Sequence, residues 1–165
     1  MAFWRVFILV VAVTGLPAAR AGSCLPFWTE FRGNCYRFMG HHMSWAEAEN
    51  HCQEFFVSTG QGHLASIHGD DENAFLFQLW RSSVRWGNRP DPTHLWIGFH
   101  EETEEVYTWS DGTAFNYTDW ISGNPSHSNN NEHCGELHIR TNEIGWNDNV
   151  CNSAQPHICE INAMP

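Results

Sequence analysis

Lysine is absent from this chain of 165 residues, and its eight arginines are outnumbered by 19 acidic residues, for a formal charge of −11. Phosphate backbones and anionic bilayers are held by clustered lysine and arginine, so neither nucleic acid nor membrane insertion is expected. The chain also lacks internal repeats, a low-complexity tail and an interdomain linker. Beyond residue 21 no apolar run approaches the roughly 20 residues a membrane span needs. A nucleophile motif, a glycine-rich phosphate loop and a carboxylate pair placed for acid–base work are all missing, so the chain is not expected to be an enzyme.

The one long apolar run present is N-terminal. Val6 to Leu16 follows Arg5 and leads to Ala19-Arg20-Ala21, a small-x-small cleavage pattern. Residues 1–21 therefore read as a secretory signal and residues 22–165 as one domain. Removing Arg5 and Arg20 takes the charge from −11 to −13, which reads as a solvated extracellular surface, with cation or mineral affinity as the other reading. About 144 residues suffice for one sizeable core. Six cysteines in a secreted chain of this size imply three disulfides, with fifteen pairings open.

Local patterns give a mixed α+β domain: two helices, small antiparallel sheets and a long polar loop. Cys24 to Phe38 reads as an aromatic hairpin turning at Gly33-Asn34. Ser44-Trp45-Ala46-Glu47 is a capping box opening a helix that runs to about Phe56. Gly62 to Ile67 reads as a strand. Asp70, Asp71 and Glu72 suit the first turn of a second helix, with Ala74, Phe75, Phe77, Leu79 and Trp80 as its buried face. Arg81 to Thr93 reads as a loop, Leu95 to Phe99 and Val106 to Trp109 as strands, and Gly135 to Ile139, Gly145 to Asn147 and Pro156 to Glu160 as terminal strands. Between them Ile121 to His133 is rich in Gly, Asn, Ser and Pro, and thirteen residues without regular structure inside a compact domain suggest a binding loop. Trp146-Asn147-Asp148 and Glu132, close to Cys134 and Cys151, add hard oxygen donors of the kind calcium prefers.

Taken together, Cys24 and Cys35, the helix ending in Cys52, Gly62 to Ile67, Trp96-Ile97-Gly98, Trp109 to Gly112, Trp120 with Gly123 and Pro125, Glu132-His133-Cys134, Trp146-Asn147-Asp148, Cys151 and Ile158-Cys159-Glu160 resemble the C-type lectin-like domain family, in its long form with an N-terminal hairpin. The resemblance covers Cys24 to Glu160. It implies disulfides Cys24–Cys35, Cys52–Cys159 and Cys134–Cys151. It also implies a secreted, extracellular lectin that binds glycans or glycoproteins through one calcium ion. The implied calcium ligands are Asn124 and Ser126 around a cis Pro125, then Glu132, Asn147 and Asp148. The same five residues, with His127 as the nearest ring, are the implied sugar site.

The tripeptide departs from the family pattern. Mannose-type members resemble Glu-Pro-Asn and galactose-type members Gln-Pro-Asp, whereas Asn124-Pro125-Ser126 supplies no carboxylate, so calcium binding should be weaker. An amide at the first position and a hydroxyl at the second lean toward galactose or N-acetylgalactosamine. The other reading is a protein- or mineral-binding module without sugar binding. An auxiliary calcium site would fall on Glu101, Glu105, His127 and His133, where imidazoles favour zinc or copper instead. Asn116-Tyr117-Thr118 is a glycosylation sequon. His41-His42 reads as a surface turn; Glu47, Glu49 and Glu54 read as a solvated helix face. Arg81, Arg85 and Arg89 suit local ion pairs. With no cysteine to spare, any homo-oligomer that raises avidity is expected to be non-covalent.

Overall fold

The computed structural model describes residues 23–84, 93–140 and 143–165. The expected signal segment, Arg85 and Arg89 lie outside the described residues. A short hairpin opens the domain: β1 (Thr29–Phe31) pairs antiparallel with β2 (Asn34–Met43). Its turn is Arg32-Gly33, one residue earlier than expected, because both residues take left-handed backbone (φ 51° and 87°) and Asn34 already pairs with Phe31. His41 and His42 therefore belong to the end of β2, exposed but on a strand and not a turn.

Helix α1 (Trp45–Gln53) starts at the expected capping box, with Ser44 Oγ accepting from the Glu47 amide and the Glu47 carboxylate accepting from the Ser44 amide. It stops short of Phe56, which instead begins β3 (Phe56–Val57), paired with β4 (Gly60–Gln61). One expected surface residue is misplaced. Glu49 is 7% exposed and accepts from the Leu64 amide (2.9 Å), Ser110 Oγ (2.8 Å) and Gln53 Nε2 (2.7 Å), with the His63 ring also 2.7 Å away. It joins α1 to β5 (His63–Leu64), so only Glu47 and Glu54 form the solvated face. The strand expected over Gly62 to Ile67 pairs for two residues only, against Cys159 and Glu160 near the C-terminus.

Helix α2 (Asp70–Ser83) carries the three acids in its first turn. It runs three residues, Arg81 to Ser83, into the segment expected as loop. Its buried positions are Glu72, Asn73, Leu76, Phe77 and Trp80, spaced as one helical face; Phe75 and Leu79 are half-buried and Ala74 is exposed. Asn73 is buried because it is bonded on both sides, donating to Asp119 and accepting from Trp146 Nε1.

The remaining strands are β6 (His94–Thr103), β7 (Val106–Trp109), β8 (Cys134–Arg140), β9 (Glu143–Asn149) and β10 (Gln155–Asn162). They join the first hairpin in one eight-stranded sheet, ordered β1-β2-β10-β6-β8-β9, with β5 on β10 and β7 on β6. The small sheets expected from the sequence are thus continuous, and β10 runs parallel to β6 where they meet at His157 and Trp96. Disulfides Cys24–Cys35, Cys52–Cys159 and Cys134–Cys151 are formed as the resemblance implied.

Phe99 is the hub of an aromatic core beneath the polar loop, with the rings of Tyr107, Trp109, Phe115, Trp120 and Trp146 at centroid distances of 5.2–5.8 Å. Trp96, Trp109 and Trp146 are fully buried as expected, while Trp120 is half-buried at the edge. Gly135 makes this arrangement possible. A Cβ there would lie 2.3 Å from the Phe99 ring, so only glycine lets β8 pass over that hub.

Candidate functional site

The polar loop is pinned at both ends to the sheet beneath it. At its start Ile121 is buried and donates its amide to the Trp146 carbonyl; at its end His133 donates to the Asn149 carbonyl. Between these anchors Gly123 takes φ 86°, the Asn124–Pro125 peptide is cis, and His127 and Asn130 take φ 47° and 52°. A single 3-10 turn, Ser128–Asn130, interrupts what the sequence presented as wholly irregular.

Asp148 organises this path. It is fully buried, and its carboxylate accepts from the Ser126 amide (2.8 and 3.0 Å to the two oxygens) and the His127 amide (2.6 Å). Asp148, expected only as an ion ligand, is thus the anchor of the loop. Glu132 does the same from the other side. Its Oε2 accepts from Ser126 Oγ at 2.8 Å and from the Ser128 amide at 3.0 Å. Asn147 donates its amide nitrogen to the Asp148 carbonyl (2.6 Å) and to Glu136 (2.8 Å), leaving Oδ1 as the donor atom for a cation.

Ser126, Glu132, Asn147 and Asp148 are thus linked by direct hydrogen bonds. Asn124 is brought beside them by the chain, and its Nδ2 is buried with no hydrogen-bond partner among the described residues. A buried amide left unpaired is costly, so that atom calls for a partner which the loop does not provide. The donor set fits a hard cation: every donor is an oxygen, two are carboxylates, and one oxygen of Glu132 is not used by the loop. It is poorer in charge than a site with a carboxylate in the tripeptide.

A second cluster lies behind this one. His127 Nε2 is 2.8 Å from Tyr107 Oη and 3.1 Å from Glu101 Oε1; His133 Nδ1 is 2.6 Å from Glu101 Oε2. The Glu105 amide also reaches Glu101, at 2.7 Å. Glu101, Glu105, His127 and His133 line a cleft of about 500 Å³ with Glu102, Thr103 and Glu104. Burial alone would push the Glu101 carboxyl up; the His133 hydrogen bond, the Glu105 amide and the positive potential of both histidines outweigh it and hold it below the usual carboxylate range. Both Glu101 oxygens are taken by these partners, so the auxiliary cluster is self-satisfied. The His127 ring faces Tyr107 and this cleft.

Sequence reasoning missed Glu136. It is fully buried on β8 and touches His94 across the sheet, and its second oxygen accepts from Asn149 (2.9 Å) and Gln155 (2.7 Å). The available signal was periodicity: Asn147 and Asn149 share one face of β9, opposite Glu136 on β8.

This combination of sheet, staples and loop is shared with known proteins. Residues 41–161 match the Lectin C-type domain family. An alpha-N-acetylgalactosamine-specific lectin of Patiria pectinifera is 37% identical over 98% of both chains. Echinoidin of Heliocidaris crassispina is 35% identical over 85% of this chain and 97% of its own. Among solved structures, the C-type lectin CEL-I of Cucumaria echinata superposes with a TM-score of 0.73 at 29% identity, covering 83% of this chain and 96% of that one. With a domain match over most of its length and relatives that are lectins rather than enzymes, the chain belongs to the C-type lectin domain family.

Proposed function

We propose that this protein is a secreted, extracellular lectin that binds glycans in a calcium-dependent manner, with galactose or N-acetylgalactosamine as its sugar class. The observation that carries this reading is the cluster of oxygen donors from Asn124, Ser126 and Glu132 of the loop and Asn147 and Asp148 of β9, with the loop backbone already fixed by two of them. Calcium, when bound there, would supply a positive centre for two neighbouring sugar hydroxyls. The protein's own groups set the direction of each hydroxyl. Asn124 offers an amide donor, Ser126 a hydroxyl that donates or accepts, and Glu132 and Asn147 carbonyl-type acceptors. His127, expected as the nearest ring, is turned instead toward Tyr107 and Glu101, so the sugar is held by the oxygen donors alone in this reading.

The relative from Patiria pectinifera, specific for N-acetylgalactosamine by name, supports the same sugar class for a chain this similar. The exposed Asn116 is a glycosylation site in this reading. All six cysteines are internally paired, so assembly for avidity would be non-covalent. A second reading, a protein- or mineral-binding domain without sugar, is favoured by the absence of a carboxylate in Asn124-Pro125-Ser126.

A glycan array read with calcium and with EDTA tests both. Binding to terminal galactose-type sugars that EDTA abolishes is the expected result. Binding indifferent to EDTA, or none in calcium, overturns the first reading. Thermal unfolding gives the companion measurement, since an ion that binds the native state must raise its stability.

A further inference from the structure

Glu136 is fully buried on β8, bonded to Asn147 of the proposed sugar site, and two imidazoles converge on it. The β6–β8 register places His94 opposite His138, and Glu136 and His138 are two residues apart on β8, so all three side chains share one face. Their ligand atoms all lie within 4.8 Å of one another. His94 Nδ1 is 2.9 Å and His138 Nδ1 3.6 Å from Glu136 Oε1. We propose that His94, Glu136 and His138 form a binding site for zinc(II) or a similar borderline divalent metal, with the fourth position open to solvent.

Geometry supports this first. Tetrahedral zinc with bonds of about 2.0–2.1 Å holds its ligand atoms roughly 3.3 Å apart, a value bracketed by the two separations here. His138 Nδ1 is buried and has no hydrogen-bond partner among the described residues, as a nitrogen awaiting a metal would be.

The carboxylate is prepared in the way metal-bound carboxylates are. Glu136 is fully buried and held by three neutral amides, Asn147 on Oε1 and Asn149 and Gln155 on Oε2. A buried carboxylate needs a compensating positive charge, and amides supply none. The His94 side chain, 39% exposed, gives an entry path. Two nitrogens and one oxygen are softer than the all-oxygen loop set, so the two sites select different ions. The site stands independently of the sugar-binding reading.

The test uses the full secreted chain without a histidine tag, in excess calcium, titrated with zinc by calorimetry and with cobalt(II) by visible absorption. One zinc per chain is expected, with the strong d–d band of four-coordinate cobalt. His94→Ala and His138→Ala should each weaken binding by at least about tenfold and remove the band. The double variant His127→Ala/His133→Ala, which empties the other histidine cluster, should bind as the wild type does. The proposal is overturned by a wild type that takes no zinc, by His94→Ala and His138→Ala binding normally, or by loss of binding in the His127/His133 variant. Because Glu136→Gln alters a buried group and can unfold the chain, the half-exposed His94→Ala decides.

Discussion

Replacing Asp148 by alanine destabilises the protein even where no calcium is present. The Ser126 and His127 amides donate to its buried carboxylate at 2.6–3.0 Å, and alanine leaves both without an acceptor. A hydrogen bond to a charged group contributes about 1.5–3 kcal/mol, so the two together contribute about 3–6. Ser126 is exposed, and water will recover part of that, which brings the expected loss to about 2–4 kcal/mol. For a domain of this size that lowers Tm by roughly 6–15 °C. Asp148→Asn keeps one oxygen as acceptor and should cost about half. The assay is thermal and urea unfolding in EDTA, with the three disulfides intact. If Asp148 were only an ion ligand, Asp148→Ala would match the wild type in EDTA and differ only in calcium; that outcome would refute its role as the anchor of the loop.

Three further perturbations separate the forces described. Ser126→Asp sets a second carboxylate against Glu132, where the hydroxyl now sits at 2.8 Å; like-charge repulsion at a solvent-screened site should cost about 1–3 kcal/mol in EDTA. Calcium should reverse the sign, giving a larger calcium-induced Tm shift than the wild type, and an identical shift in both proteins would sink the charge-count argument. Gly135→Ala forces a Cβ to within 2.3 Å of the Phe99 ring and should cost about 1–3 kcal/mol through displacement of that ring; near-UV circular dichroism unchanged from the wild type would contradict it. On the pH axis, burial, reinforced by Glu72 and Asp111, raises the Glu160 carboxyl to about 8, so the native state keeps a proton that the unfolded chain releases near 4.5. Its contribution to stability is therefore lost as pH rises from about 4.5 to 8. Burial and then His51 lower His157 to about 4, so its contribution is lost as pH falls from about 6.5 to 4. Above pH 6.5 only the first slope of this pair remains: urea midpoints should decline toward pH 8, and Glu160→Gln should remove the decline.

Elements carried by local chemistry were legible in the sequence. The Ser44–Glu47 box starts α1 because both of its hydrogen bonds close within one turn, and the acids of Asp70-Asp71-Glu72 mark α2 for a reason equally local. Glu49 and Glu136 were not legible as structural residues. A glutamate on an amphipathic helix looks solvated unless one knows that the Leu64 amide and Ser110 will arrive from segments 15 and 61 residues away. Glu136 depends in the same way on partners from three other strands; the i, i+2 spacing of Asn147 and Asn149 hints at a polar face on β9, but nothing within β8 itself shows which charge is inward. The family landmarks named the loop donors; only the coordinates show that Asp148 and Glu132 also hold the loop.

That double role bears on how tightly the loop can grip a cation. If the loop spent all of its carboxylate oxygens on itself, calcium would have to break hydrogen bonds to enter, and a carboxylate in the tripeptide would not help. The distribution of bonds argues otherwise. Both contacts to Glu132 fall on Oε2, leaving Oε1, and Asp148 Oδ1 takes only the Ser126 amide, leaving a lone pair. Each carboxylate uses part of its capacity to fix the backbone and keeps part for an ion. On the proposed calcium-binding reading the site is preorganised, and ordering entropy would be spent in folding rather than in binding. The limit on affinity is then the count of charges, two where a tripeptide carboxylate would make three. It follows that Ser126→Asp, acting on a loop already in place, should strengthen calcium binding without any change in loop structure.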